Sequence, residues 1–326
     1  MITGEEKECV MNRILRRLIV PTAVTLITAS AVAYAGASTT STDPAVAAGP
    51  KDIPLRVMSY NIGHARGVDG DVSVHRVAHR IAESGAEVVA LQEVDVHWST
   101  RSDLRDQAAE LADLLDMHVY FAPIYSFEPG YDPENPGGED NIPAPPGAQQ
   151  RAFGLAVLSE YPIVSAQNHD LTRRVGRGPD RGEVKPIHGF ADVTVNVKGV
   201  HVRVFSTHLQ AGATQLGTDI RTAQVAEMLD IVGDDPANAV LMGDLNAAIE
   251  PDSVVYRPEI LPLFDVFTDA WEKGEGAGYT FRADNPDRRI DFVLATPDIE
   301  VESAEVLDID ASDHLPVVAD LTLRRR

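Results

Sequence analysis

Cysteine is almost missing from the 326 residues: Cys9 is the only thiol, so no disulfide framework can form and no thiolate set exists for a tetrahedral zinc site. A domain of this size can draw its stability from a hydrophobic core instead. Positive charge is also scarce, with 28 Lys and Arg against 50 Asp and Glu and a formal net charge of −22. Such a surface repels phosphate backbones at long range, which argues against tight nucleic-acid binding on a basic face. It does not exclude a phosphate-bearing substrate, because a metal ion held in a pocket brings its own positive charge. The chain has no internal repeat, no basic low-complexity tract and no clear stacking platform for bases. After residue 35, no apolar run is long enough to cross a membrane.

The N-terminus reads as an export signal. Arg13, Arg16 and Arg17 form a basic patch before the nearly uncharged run Leu18 to Ala35, and Ala33-Tyr34-Ala35 has the A-x-A form of a cleavage site. Glu5, Glu6 and Glu8 do not suit a signal n-region and make Met11 a candidate start. Residues 1–35 are therefore expected to be a signal peptide, with an uncleaved membrane anchor as the alternative, and the protein to be secreted or at the cell surface. Residues 36–52, rich in Ala, Ser, Thr and Pro without periodicity, read as a disordered linker. A single catalytic domain is expected over residues 53–326.

Within that domain, strand-like runs alternate with amphipathic helical ones. Leu55 to Tyr60, Glu87 to Leu91, Phe153 to Leu158, Ile163 to Leu171, Gly189 to Val197, Val200 to Ser206 and Ala239 to Met242 have strand character, followed by Arg289 to Ala295, Val301 to Leu307 and Val317 to Leu323. Helices are expected at Val72 to Ser84, Asp106 to Leu115 and Gln215 to Val232, and a long Pro- and Gly-rich loop from Glu128 to Gln150. The opening has α/β rhythm, and the dense middle favours antiparallel pairing.

Six short segments place polar groups at strand ends: SYN (Ser59 to Asn61), LQE (Leu91 to Glu93), STH (Ser206 to His208), GDLN (Gly243 to Asn246), RID (Arg289 to Asp291) and SDH (Ser312 to His314). Singly, each suits a cap or a turn. Together they supply what phosphoester hydrolysis needs. Glu93, with Asn61, Asp244 and Asp313, offers oxygen ligands of the kind Mg²⁺ or Mn²⁺ prefers. His208 and His314 can bind a phosphate oxygen or move a proton, and Asp291 could fix the tautomer of His314. Arg101, Arg181, Arg221 and Gln224 read as solvated helix or loop residues, and Tyr120, Phe121, Tyr125 and Phe127 as core packing. His64, His75, His79, His97 and His118 fall outside these segments, with helix or loop positions and no catalytic role expected.

The ordered series N, E, H, GDxN, D, SDH resembles the endonuclease/exonuclease/phosphatase superfamily, which includes deoxyribonuclease I, sphingomyelinases and inositol-polyphosphate 5-phosphatases. The stretches SYNIGHARGVDGDV, ALQEVD and AVLSEYPI are similar to its compact bacterial branch, and to the C-terminal part of a eukaryotic GPI-anchor remodelling factor. The resemblance implies a four-layer α/β/β/α sandwich of two mixed, mainly antiparallel sheets flanked by helices. It implies metal ligation by Glu93 with Asn61 and Asp313, and a catalytic set of His208, Asp244, Asn246, Asp291 and His314. It leaves open whether Asp244 or His314 is the general base. The expected activity is hydrolysis of a phosphodiester, in a lipid headgroup or small phosphoester, by a monomer. A secreted nuclease is the alternative, and a catalytically inactive binding module a third reading from another class.

Overall fold

The computed structural model describes residues 52–128, 149–175, 183–249 and 257–325. The expected signal, the linker, most of the Pro- and Gly-rich loop and Arg181 lie outside them.

Two six-stranded sheets stack face to face. The first has the order β11-β12-β1-β2-β4-β3, with β1 Ile53–Asn61, β2 Val88–Val96, β3 His118–Phe127, β4 Arg151–Ser159, β11 Ile299–Val306 and β12 Val317–Leu323. The second runs β5-β6-β7-β8-β10-β9, with β5 Ile163–Val175, β6 Glu183–Val197, β7 Val200–His208, β8 Ala239–Ile249, β9 Thr268–Asp269 and β10 Arg289–Ala295. Each sheet holds one parallel pair, β1 with β2 and β7 with β8; all other pairs are antiparallel. A parallel pair needs a crossover, and here helices supply it: α1 (Val74–Ser84) joins β1 to β2, and α3 (Gln215–Val232) joins β7 to β8. With α2 (Gln107–Leu115), they make the outer layers of an α/β/β/α sandwich.

Strand periodicity divides the core into three. Leu55, Val57, Val88 and Ala90 face Val202, Val204, Val240 and Val293 between the sheets. The alternate residues Met58, Tyr60, Val89 and Leu91 pack under α1 and α2. Leu241, Leu245, Phe292 and Leu294 pack with Val225, Met228 and Val232 of α3. Each fully buried aliphatic or aromatic side chain stabilises the fold by about 1.5–3 kcal/mol.

The helices begin at capping residues. Ser73, Asp106 and Thr214 accept the amides of Arg76, Ala109 and Gly217. Val72, expected in α1, instead bridges Arg66, so the helix starts two residues later. The strands β1, β2, β7 and β8 run past their expected ends, through SYN, LQE, STH and GDLN, and β5 runs on from Leu171 to Val175. The strand β3 carries Tyr120, Phe121, Tyr125 and Phe127 and was not expected as an element; His118 begins it, which corrects its placement on a helix or loop.

Candidate active site

The inward faces of the central strands change character along their length. On β1, Leu55 and Val57 give way to Ser59 and Asn61; on β2, Val88 and Ala90 to Gln92; on β7, Val202 and Val204 to Ser206 and His208. On β8, Val240 and Met242 lead to Asp244, and on the antiparallel β10, Ala295 and Val293 lead back to Asp291. Because side chains alternate with period two, all of these polar residues project into one end of the inter-sheet space. That end is the candidate site.

Asp244 lies at its centre and is 2% exposed. Its Oδ2 accepts from Asn61 Nδ2 at 3.2 Å and lies 3.5 Å from His208 Nε2 and 3.9 Å from His314 Nε2. Its Oδ1 accepts the Asn246 amide at 2.8 Å. Asn246 has φ 49°, a left-handed conformation Asn tolerates, and its side-chain amide donates to the Leu209 carbonyl at 3.1 Å. Asn246 therefore ties the ends of β7 and β8 together around Asp244. Asp291 sits opposite Asp244 in the β8–β10 register, and its Oδ2 meets His314 Nδ1 at 2.9 Å. The buried Thr280 hydroxyl accepts the Ile290 and Asp291 amides, and Phe281 lies against the His314 ring at 4.7 Å.

The electrostatics follow from burial. Desolvation, then the neighbouring Asp291 charge, raises Asp244 to about 7. Desolvation pulls His314 down, but the charge and hydrogen bond of Asp291 outweigh it and lift His314 to about 10. His208 falls to about 3 through desolvation and the positive charges of Arg173 and His314. At neutral pH the site thus holds a protonated His314 and a neutral His208.

The three residues implied as metal ligands divide differently. Asn61 is buried and donates from Nδ2 to Glu93 Oε1 as well as to Asp244, while its Oδ1 accepts the Gly63 amide at 3.1 Å. Glu93 is half-buried at a bulge between Leu91 and Val94, with φ 57°. Asp313 is exposed, but it lines the same cavity of about 430 Å³ as Glu93. Gly63, with φ 49°, lies so close that a Cβ would sit 3.1 Å from Asp313 Oδ1. Among the described residues, the tight cluster of possible ligand atoms, within 4.8 Å of one another, is Asp244, Asp291 and His314. His314 Nδ1 is engaged by Asp291 there, and the buried Asp291 Oδ1 has no hydrogen-bond partner. The carboxylates of Glu93, Asp313 and Asp244 give an oxygen-rich donor set that fits a hard divalent cation better than a soft one.

Several residues outside the motifs turn out to be structural. Arg221 is not a solvated charge: it is buried, paired with Glu259 at 2.9 Å and bonded to the Gln210 and Gly212 carbonyls. Gln224 is buried as well and accepts the Gln210 amide. Arg101 clamps the buried Asp95 beside Trp98 and Phe153. Conversely, His64, Arg66 and Arg282 line the cavity beside Glu93. His64 and Arg66 belong to the SYNIGHARGVDGDV stretch, but no strand periodicity reaches those loops to mark them or Arg282 as lining residues.

The model of the Endonuclease/Exonuclease/phosphatase family matches residues 58–314. An endonuclease/exonuclease/phosphatase from Beutenbergia cavernae DSM 12333 is 29% identical, with 83% of this chain and 72% of that chain covered at a TM-score of 0.62. A family protein from Bacteroides thetaiotaomicron is 18% identical over 85% of this chain and 100% of that one, at a TM-score of 0.57. The mannosyl-6-phosphatase Bt3783 of Bacteroides thetaiotaomicron VPI-5482 is 19% identical over 82% and 99%, at a TM-score of 0.53. The last two show a shared fold. Among curated proteins, none matches the chain in sequence.

Proposed function

Since the chain belongs to the Endonuclease/Exonuclease/phosphatase family, we propose that it is a divalent-metal-dependent phosphoester hydrolase acting by direct attack of water on phosphorus. The observation that carries this reading is the convergence on Asp244: its Oδ2 lies within 3.9 Å of both His208 and His314, and His314 is itself held by Asp291. Asp244, raised to about 7, can take a proton from water, which favours it over His314 as the base. His314, raised to about 10, keeps its proton and can donate from Nε2 to a phosphate oxygen. His208, neutral, adds a second hydrogen-bond donor beside Asp244. Asn61 and Asn246 orient the Asp244 carboxylate.

Glu93 and Asp313, beside Asn61, would hold the cation, Mg²⁺ or Mn²⁺, whose role when bound is to offset charge on the non-bridging oxygens. The substrate class we favour is a lipid headgroup or small phosphoester, because the cavity is small and the chain strongly acidic. A nuclease would share the catalytic set but would need a basic track for the backbone. Export through residues 1–35 belongs to the same proposal and rests on the basic patch and the Ala33-Tyr34-Ala35 site.

The test is a panel of phosphoesters assayed with Mg²⁺, Mn²⁺ and chelator: sphingomyelin, phosphatidylinositol lipids, sugar phosphates and duplex DNA. Turnover of a headgroup or small phosphoester, absent in chelator, is expected. Rapid cleavage of DNA with no turnover of the others would replace this reading with the nuclease.

A further inference from the structure

Two loops build the outer wall of the cavity beside Glu93 and Asp313. The first, residues 63–71, is held by hydrogen bonds from Gly67 N to Asp71 O and from Val68 N to Asp310 O. Asp69 grips both terminal nitrogens of Arg76, at 2.6 and 2.9 Å, and a Cβ on Gly67 would sit 2.1 Å from that guanidinium. The second, residues 280–288, is tied by Ala283 N to Asp313 O at 2.8 Å. Its Arg288 is paired with Asp287 and lies over the Phe281 ring.

Each loop is therefore secured by one arginine, Arg76 of α1 or the second loop's own Arg288, and carries another that secures nothing. The side chains of Arg66 and Arg282 make no hydrogen bond or ion pair, and no other arginine side chain among the described residues is in that state. Both line the same cavity. This is unexpected in a chain with 50 acidic and 28 basic residues, where a carboxylate partner is seldom far away. Asp284 lines the cavity too, but it bonds neither arginine; Glu93 and Asp313 sit at the cation end. Two unpaired guanidiniums on loops tied down by other contacts are a preformed receptor for an oxyanion, since the planar fork matches phosphate geometry.

We propose that Arg66 and Arg282 form a subsite for a second phosphate group of the substrate, so that the molecule hydrolysed is a small headgroup carrying a phosphate besides the scissile one. This rests on the phosphoesterase reading and narrows it. The same chemistry could be presented by a soluble polyol phosphate or by a phosphorylated lipid headgroup.

The experiment is binding by calorimetry with Mg²⁺ in excess, comparing propane-1,3-bisphosphonate with propylphosphonate, neither of which a phosphoesterase can cleave. The wild-type protein should bind the bisphosphonate at least about tenfold more tightly, as expected for charge-assisted hydrogen bonds. That preference should fall to near unity in the Arg66→Gln, Arg282→Gln double variant and partway in each single variant, with folding checked by thermal melting. Sedimentation with vesicles containing phosphatidylinositol 4-phosphate, but not with phosphatidylcholine alone, and its loss in the double variant, would identify the lipid source. Binding of the bisphosphonate without such sedimentation would identify the soluble one. Equal affinity for the two phosphonates, a preference that survives the double substitution, or no binding of either would overturn the proposal. Because no turnover is involved, failure of the substrate panel with this preference intact would remove the phosphoesterase reading and leave the subsite standing.

Discussion

At the scale of single residues, Asp291 acts through His314, whose Nδ1 it holds at 2.9 Å. If Asp291 only orients the imidazole and supports its charged form, its value disappears when the ring is removed. Asp291→Asn and His314→Ala should then each lower kcat/KM by similar large factors, and the double variant should be little worse than His314→Ala alone. A double-mutant cycle on one phosphodiester, with folding checked by circular dichroism, measures this; multiplicative losses would show two independent residues. The same pair predicts a pH signature in stability. The folded-state pKa of His314 is raised to about 10, so its contribution is fully present below its unfolded value near 6.5 and is lost as the pH rises through about 10. Denaturant unfolding in chelator should therefore show the wild type losing ground to His314→Gln between pH 6.5 and 10. A constant difference across that window would contradict the paired, protonated histidine.

At the scale of elements, the site depends on how closely β7 and β8 run. Gly243, opposite Thr207, leaves no room for a side chain: a Cβ there would lie 2.2 Å from the Thr207 carbonyl oxygen. Gly243→Ala should cost about 1–3 kcal/mol by overpacking. It should also lower activity out of proportion, because the strands it separates carry His208 and Asp244 one residue further on. Chemical denaturation and kcat/KM on the same variant check both; wild-type values would mean that the strand spacing does not set the site. The close approach at Gly243 was not legible in the sequence, but the residues around it were. The polar residues at strand ends follow from strand periodicity, and the α/β/β/α order is what the family resemblance implied. Less legible was β3, whose aromatic residues read as packing because the Pro-rich segment after it obscured the strand. The ends of β2 and β8 were placed too early, because Glu93 and Asn246 adopt left-handed backbone inside continuing strands. The buried Arg221–Glu259 pair was invisible because its partners are 38 residues apart. Arg66 and Arg282 come together only through tertiary packing of two loops.

At the scale of the whole molecule, a formal charge of −22 is concentrated further by the inward-facing Asp244 and Asp291, with Glu93 and Asp313 beside them. A divalent cation would offset that local excess and place positive charge beside the phosphate, which the remainder of the surface does not favour. On the function proposed above, fold, charge and site share one requirement, a metal held first by Glu93. The direct measurement is the Mg²⁺ and Mn²⁺ activation curve for hydrolysis of a single phosphodiester, recorded for the wild-type protein and for Glu93→Gln. The amide keeps the shape and loses the charge. The account predicts no turnover in chelator, recovery on adding metal, and a Glu93→Gln curve displaced to at least about tenfold higher metal concentration with the fold unchanged. Turnover that persists in chelator, or superimposable curves for the two proteins, would contradict it.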